Sequence, residues 1–104
     1  MKRGEVWWVS FPAPIGRRPA VLVSRDQAYR VRSAVTVVPL TRTIRGIATE
    51  VALGREDGFP KACVANADTL TTVPKSIVRE YFCTLDPAKI QDLNRAIKFA
   101  LDLP

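Results

Sequence analysis

The sequence predicts a mainly β protein, a small barrel or sandwich of about six short strands with one C-terminal α-helix. Three observations predict it. Stretches rich in β-branched and aromatic residues recur along the chain, each bounded by Gly, Pro or other turn residues. One of them, residues 19–24 (PAVLVS), is apolar without alternation, the pattern of a central strand covered on both faces. Beyond residue 86 the apolar spacing becomes helical.

Taken in order, residues 5–11 (EVWWVSF) read as the first strand, and PAPIG after it as a turn or loop. The strand at 19–24 follows, with Pro19 at its start, where the ladder can spare a donor. Residues 34–40 (AVTVVPL) form the next, ending at Pro39, and TRTIRGIA is polar and loop-like around Gly46. ATEVAL, KACVANA and SIVREYFCTL complete the set, separated by the turn signals GREDGFP and TTVPKS. Asp86 is a good N-cap and Pro87 suits the first helical position. After them Ile90, Leu93, Ile97 and Leu101 make one apolar stripe, fit to pack a helix on the sheet.

A chain of 104 residues has room for one core, so a single domain over 1–104 is expected. With 47% hydrophobic and 25% charged residues it is neither disordered nor fibrous. No apolar run approaches the ~20 residues of a membrane span, and the first residues lack a signal peptide's apolar stretch. A soluble, cytoplasmic protein without a membrane partner is the expectation. Histidine is absent, which removes the commonest general base and most zinc sites. Cys63 and Cys83 stand twenty positions apart, matching neither a CxxC pair nor a metal knuckle, so buried thiols are expected. No cofactor and no resident metal are predicted.

The net charge of +6 is unevenly placed. Residues 1–55 carry 10 basic and 3 acidic side chains, whereas residues 56–104 carry 6 and 7. Between 17 and 45 stand seven arginines, no lysine and one acid, Asp26. Lysine would solubilise equally well, but the guanidinium fork matches phosphate oxygens and stacks on bases. A nucleic acid is the partner this bias suggests.

The order RGEVWWVSF, GRRPAVLVSRD, VTVVPLT, CVANADTLTTVPKS and a closing helix resembles the MazF/PemK family of toxin endoribonucleases over nearly the whole chain. Its sharpest pieces are Arg18-Pro19 entering an apolar strand followed by Ser24-Arg25-Asp26, and Pro39-Leu40-Thr41 closing the next strand. The resemblance implies an SH3-like barrel of the CcdB/MazF type, a homodimer, metal-independent cleavage of single-stranded RNA at short sequences, and a cognate antitoxin that occupies the RNA groove. It implies Arg18 and Thr41 as the catalytic pair, and places Asp68 and Thr69 in the segment that contacts RNA. Gly16, Arg17, Arg25, Arg42 and Arg45 are further expected RNA contacts, with solvated charge the other reading of Arg42 and Arg45 and a turn contact the other reading of Asp68. The chain departs from the family pattern twice. The loop PAPIGRR is short, and Thr69 stands where the family commonly has Gln.

The chemistry such a pair would perform follows from physical principles. The RNA supplies its own nucleophile, the 2′-hydroxyl beside the phosphorus, so the protein need supply only in-line geometry and charge stabilisation. A guanidinium and a hydroxyl can do both, while the general base stays open between water and Asp68. Other readings are open for individual residues. Thr41 can be a turn residue whose hydroxyl caps backbone. Of Trp7 and Trp8 at most one faces any groove, and core packing or a dimer seam is expected for both. A CcdB-like gyrase-poisoning toxin and a binding barrel without chemistry are the alternative functions.

Overall fold

The computed structural model describes residues 1–104. Seven strands and two α-helices form: β1 (Glu5–Ser10), β2 (Arg17–Leu22), α1 (Ala28–Val31), β3 (Ala34–Thr41), β4 (Glu50–Leu53), β5 (Cys63–Asn66), β6 (Thr71–Pro74), β7 (Val78–Thr84) and α2 (Pro87–Ala100). Single 3₁₀ turns cover Arg55–Asp57, Ala67–Thr69 and Lys75–Ile77.

All pairings are antiparallel, in the order β4-β5-β3-β2-β1-β7. β3 is long enough to serve two partners on its far side: its first half pairs with β6 and its last two residues with β5. The expected β architecture with a terminal helix is present, with two corrections. The strands number seven, and β4 and β7 at the two ends of the sheet do not pair, so the sheet curls without closing.

β2 behaves as its unbroken apolar run requires. Val21 enters one buried cluster with Val6, Val38, Leu40 and Leu93, while Ala20 and Leu22 enter a second with Val9, Val35 and Val37. The sheet is therefore covered on both faces at its centre, and Ala20, Val21 and Leu22 are fully buried. Helix α2 closes the first cluster. Asp86 caps it by accepting from the Lys89 backbone N–H at 2.9 Å, Pro87 opens it, and Leu93 and Ala96 are its buried residues. Leu101 does not complete the predicted stripe. It lies just past the helix and is half exposed, because the chain leaves helical geometry there.

One further expectation is corrected. TTVPKS, read as a turn signal, contains strand β6, whose Pro74 takes the last register position opposite Ala34. The segment after β2, to which the sequence assigns no element, is ordered. It turns through α1, tied down by the Tyr29 hydroxyl donating to Ser24 O and by Lys75 Nζ donating to Tyr29 O. No helix is long and apolar enough to cross a membrane.

Candidate nucleic-acid interface

The β2–β3 register positions the pair singled out from sequence. Ala20 lies opposite Pro39, and continuing that ladder two residues outward sets Arg18 opposite Thr41. Residues in that relation share one face of the sheet. Both side chains line the same two adjoining cavities, one of about 490 Å³ and one of about 660 Å³. Thr43 is the third residue common to both, so Arg18, Thr41 and Thr43 form the divide between them.

The first cavity is walled by Trp8, Phe59 and Phe82 and by the cations Arg17, Arg42 and Lys61. The second is walled by Phe11, Ile15 and Ile77 on its apolar side and by Asn66, Thr69, Thr71, Thr72 and Arg45 on its polar side. Neither wall contains a carboxylate. The molecule also holds no group of three or more Cys, Asp or Glu side chains that could take a metal. The interface is thus a cationic, hydroxyl-lined surface without the oxygen ligands that hard divalent cations use.

Arg18 is half-buried, and its Nε is shut from solvent with no hydrogen-bond partner. No carboxylate approaches it within ion-pair distance, and the same holds for Arg42, Arg45 and Lys61. A buried donor left unmatched in this way calls for an acceptor from outside the chain. Thr41 caps backbone, as its place after a strand suggests: its Oγ1 accepts from Thr43 N at 3.1 Å. That contact uses a lone pair and leaves the hydroxyl proton free to donate into either cavity.

Arg17 has partners. Its guanidinium pairs with Glu80 at 2.9 Å and sits 4.2 Å above the Trp8 ring, so it reaches from β2 across β1 to β7. The loop bearing Arg42 and Arg45 is folded back on Glu50, whose carboxylate accepts from Arg45 N and Gly46 N. Cys63 lines the first cavity as a neutral thiol. Burial first, then the Asp57 charge, pushes its pKa up, with Arg42 opposing weakly. A thiol so held is a poor nucleophile.

The remaining sequence candidates divide. Thr69 lines the second cavity, but its hydroxyl donates to Asn66 O at 2.8 Å. Asp68 lines neither cavity, and neither does Gly16, which turns the chain into β2 at φ +71°. Arg18 is the second residue of β2, whereas Arg25 lies beyond the strand's other end, at Leu22, and is exposed there. Of the two tryptophans only Trp8 lines a cavity, whereas Trp7 packs edge-on against Tyr81 and donates to Glu5. Trp8 is thus not part of the core of this chain: β1 is flanked by β2 and β7 and leaves its ring half-buried on the cavity wall. The sequence reading also missed Thr43, Lys61 and Phe82. Lys61 carried a signal, being a lone cation after the GREDGFP turn, where no neighbouring pattern drew attention to it.

A curled antiparallel sheet carrying a carboxylate-free, arginine-rich double cavity defines a nucleic-acid-directed β protein. Sequence comparison sharpens this. Residues 2–101 match the family described as PemK-like, MazF-like toxin of type II toxin-antitoxin system, and the chain belongs to that family. It is 39% identical over 102 residues to "Probable endoribonuclease MazF5" of Mycobacterium tuberculosis, covering 96% of this chain and 92% of that protein. It is 35% identical over 99 residues to "Probable endoribonuclease MazF2" of the same organism, covering 94% and 95%. Among solved structures, an endoribonuclease in complex with its cognate antitoxin, from a mycobacterial species, superimposes with TM-score 0.88 at 34% identity, covering 100% of this chain and 97% of that one.

Proposed function

We infer that this chain is a toxin endoribonuclease that cleaves single-stranded RNA by attack of the 2′-hydroxyl on the adjacent phosphorus. The observation that carries the reading is the divide between the cavities. There the unpartnered Arg18 guanidinium and the free Thr41 hydroxyl proton stand across neighbouring strands, with no carboxylate on either wall. A phosphodiester at that point meets a forked donor and a hydroxyl donor, and the chain continues into a cavity on each side.

In the reaction the 2′-oxygen bonds to phosphorus while its proton leaves to a base. The bond to the 5′-oxygen breaks, and that oxygen takes up a proton. The products are a 2′,3′-cyclic phosphate and a 5′-hydroxyl. Arg18 serves as an electrostatic clamp on the phosphorane oxygens, and Thr41 donates to another of them. Arg18 does not supply the base. A guanidinium keeps its proton in proteins and so cannot accept the proton of the 2′-hydroxyl. Asp68 lines neither cavity, which favours water over Asp68 as the base in this reading.

The family and the antitoxin-bound neighbour support a cognate antitoxin as a partner. The reading adds a second copy of the chain, and seats the antitoxin over the RNA-binding surface. The test is long RNA incubated with purified protein in EDTA, with the cut ends mapped by primer extension. Discrete cuts bearing 5′-hydroxyl ends are expected. Salt-sensitive binding without any cut would instead identify a binding protein without chemistry.

A further inference from the structure

Beyond the three residues it shares with its neighbour, the first cavity is walled by rings and cations. Phe59 and Phe82 stack flat, 5.1 Å apart at 12°, and Trp8 meets Phe82 edge-on at 5.6 Å. Phe59 is buried, but Trp8 and Phe82 are only half-buried, so the stack opens onto the cavity. The Arg17 guanidinium covers Trp8 at 4.2 Å, and Glu80 anchors it at 2.9 Å. Its side chain stays 54% exposed, which leaves guanidinium surface free to receive another planar group. Arg42 and Lys61 complete the wall without an ion-pair partner.

A phosphate would need the cations but not the rings. A nucleobase uses both, since bases stack on guanidinium planes and aromatic faces. The side-chain chemistry narrows the choice. Apart from two threonine hydroxyls and the Cys63 thiol, every polar side chain on this wall is a donor without acceptor capacity. Guanine is the base with two adjacent acceptors, N7 and O6, on an edge that carries no donor, whereas adenine sets an amino group beside its N7. A cavity of about 490 Å³ falls in the range that holds small ligands.

We propose that the first cavity is a guanine-selective subsite for the nucleobase next to the cleaved phosphodiester, stacked on the Arg17–Trp8 shelf and read at N7 and O6 by Lys61 and Arg42. The proposal rests on the nuclease reading above and adds what that reading lacks, the base on one side of the cut. Lys61 and Arg17 then set specificity and affinity, while Arg18 and Thr41 keep the chemistry.

The experiment is cleavage of a randomised single-stranded oligoribonucleotide pool in EDTA by wild type, Lys61→Ala, Arg17→Ala and Arg17→Lys, with the cut junctions sequenced. Wild type is expected to enrich guanine at one of the two positions flanking the cut. Lys61→Ala lowers that enrichment about tenfold to a hundredfold and leaves the other positions unchanged. Arg17→Ala raises KM about tenfold or more, and Arg17→Lys behaves like it, because lysine keeps the charge without the stacking plane. Both residues are exposed, so superimposable thermal melts are expected. A pool cut with no guanine enrichment at either position, or with the same base preference by wild type and Lys61→Ala, overturns the subsite and leaves the nuclease reading standing. A pool that wild type leaves intact overturns both.

Discussion

A guanidinium whose Nε is closed off from water and meets no acceptor costs the fold about 1–3 kcal/mol unless a ligand completes it. Arg18 is in that state, and under the proposed function a phosphate oxygen arriving between the cavities would supply the missing acceptor. Two outcomes are expected. Arg18→Lys keeps the charge but loses the fork, and should lower the cleavage rate about 10²- to 10³-fold. Arg18→Met should lower it at least as far, yet leave the thermal midpoint unchanged or raised, because it removes an unmatched donor. A midpoint lowered by several degrees would mean that Arg18 supports the fold. Some of this was legible in the chain: the apolar runs mark the strand ends, and the resemblance carried by Arg18-Pro19 and Pro39-Leu40-Thr41 singles out the pair. What escaped was which cations share a wall. Arg25 and Arg42 look alike in sequence, but β2 carries one away from the site while the turn after β3 keeps the other beside it. Thr69 escaped for a different reason, since its hydroxyl is bonded back to Asn66 O, a contact that spacing does not reveal.

Helix α2 shows what a periodic pattern can predict and where it stops. Its cap, its proline and its inner residues were readable because each follows from local geometry. The stripe suggests that Leu93 and Leu101 are equivalent, whereas the structure buries the first and half exposes the second. Leu93→Ala is expected to cost about 2–5 kcal/mol in urea denaturation. Leu101→Ala should stay within about 0.5 kcal/mol. Asp86→Ala removes the cap bond to Lys89 N and should cost about 1 kcal/mol. Equal losses for the two leucines would contradict the observed end of the helix. Strand β6 was read as a turn because four residues ending in proline offer too little alternation to declare themselves. Its strand character comes from the free side of β3, a tertiary partner that no local window contains.

Across the whole molecule, charge and burial set responses to pH and salt. Tyr29 is buried, its hydroxyl donates to Ser24 O, and desolvation, aided by the Asp26 charge, pushes its pKa up to about 12. The unfolded chain releases that proton near pH 10, so the folded state holds it longer. The tyrosine's contribution is therefore complete below pH 10 and lost as pH rises toward 12. Stability measured across that window should fall more steeply for wild type than for Tyr29→Phe, and parallel curves would exclude this assignment. The excess of cations over the first 55 residues should make RNA binding weaken with salt, with a logarithmic slope of about −0.7 per phosphate contacted. Removing the Arg45 side chain, on the polar wall of the second cavity, should flatten that slope by a little under one unit.

In the proposed reaction the RNA's own 2′-oxygen attacks a phosphodiester held between Arg18 and Thr41. The most direct test replaces a single ribose, the one on the 5′ side of a mapped cut, with deoxyribose in an otherwise unchanged oligonucleotide. Binding should persist, cutting at that one bond should stop, and cuts elsewhere should continue. A bond still severed there, with no 2′-hydroxyl to attack it, would contradict the account.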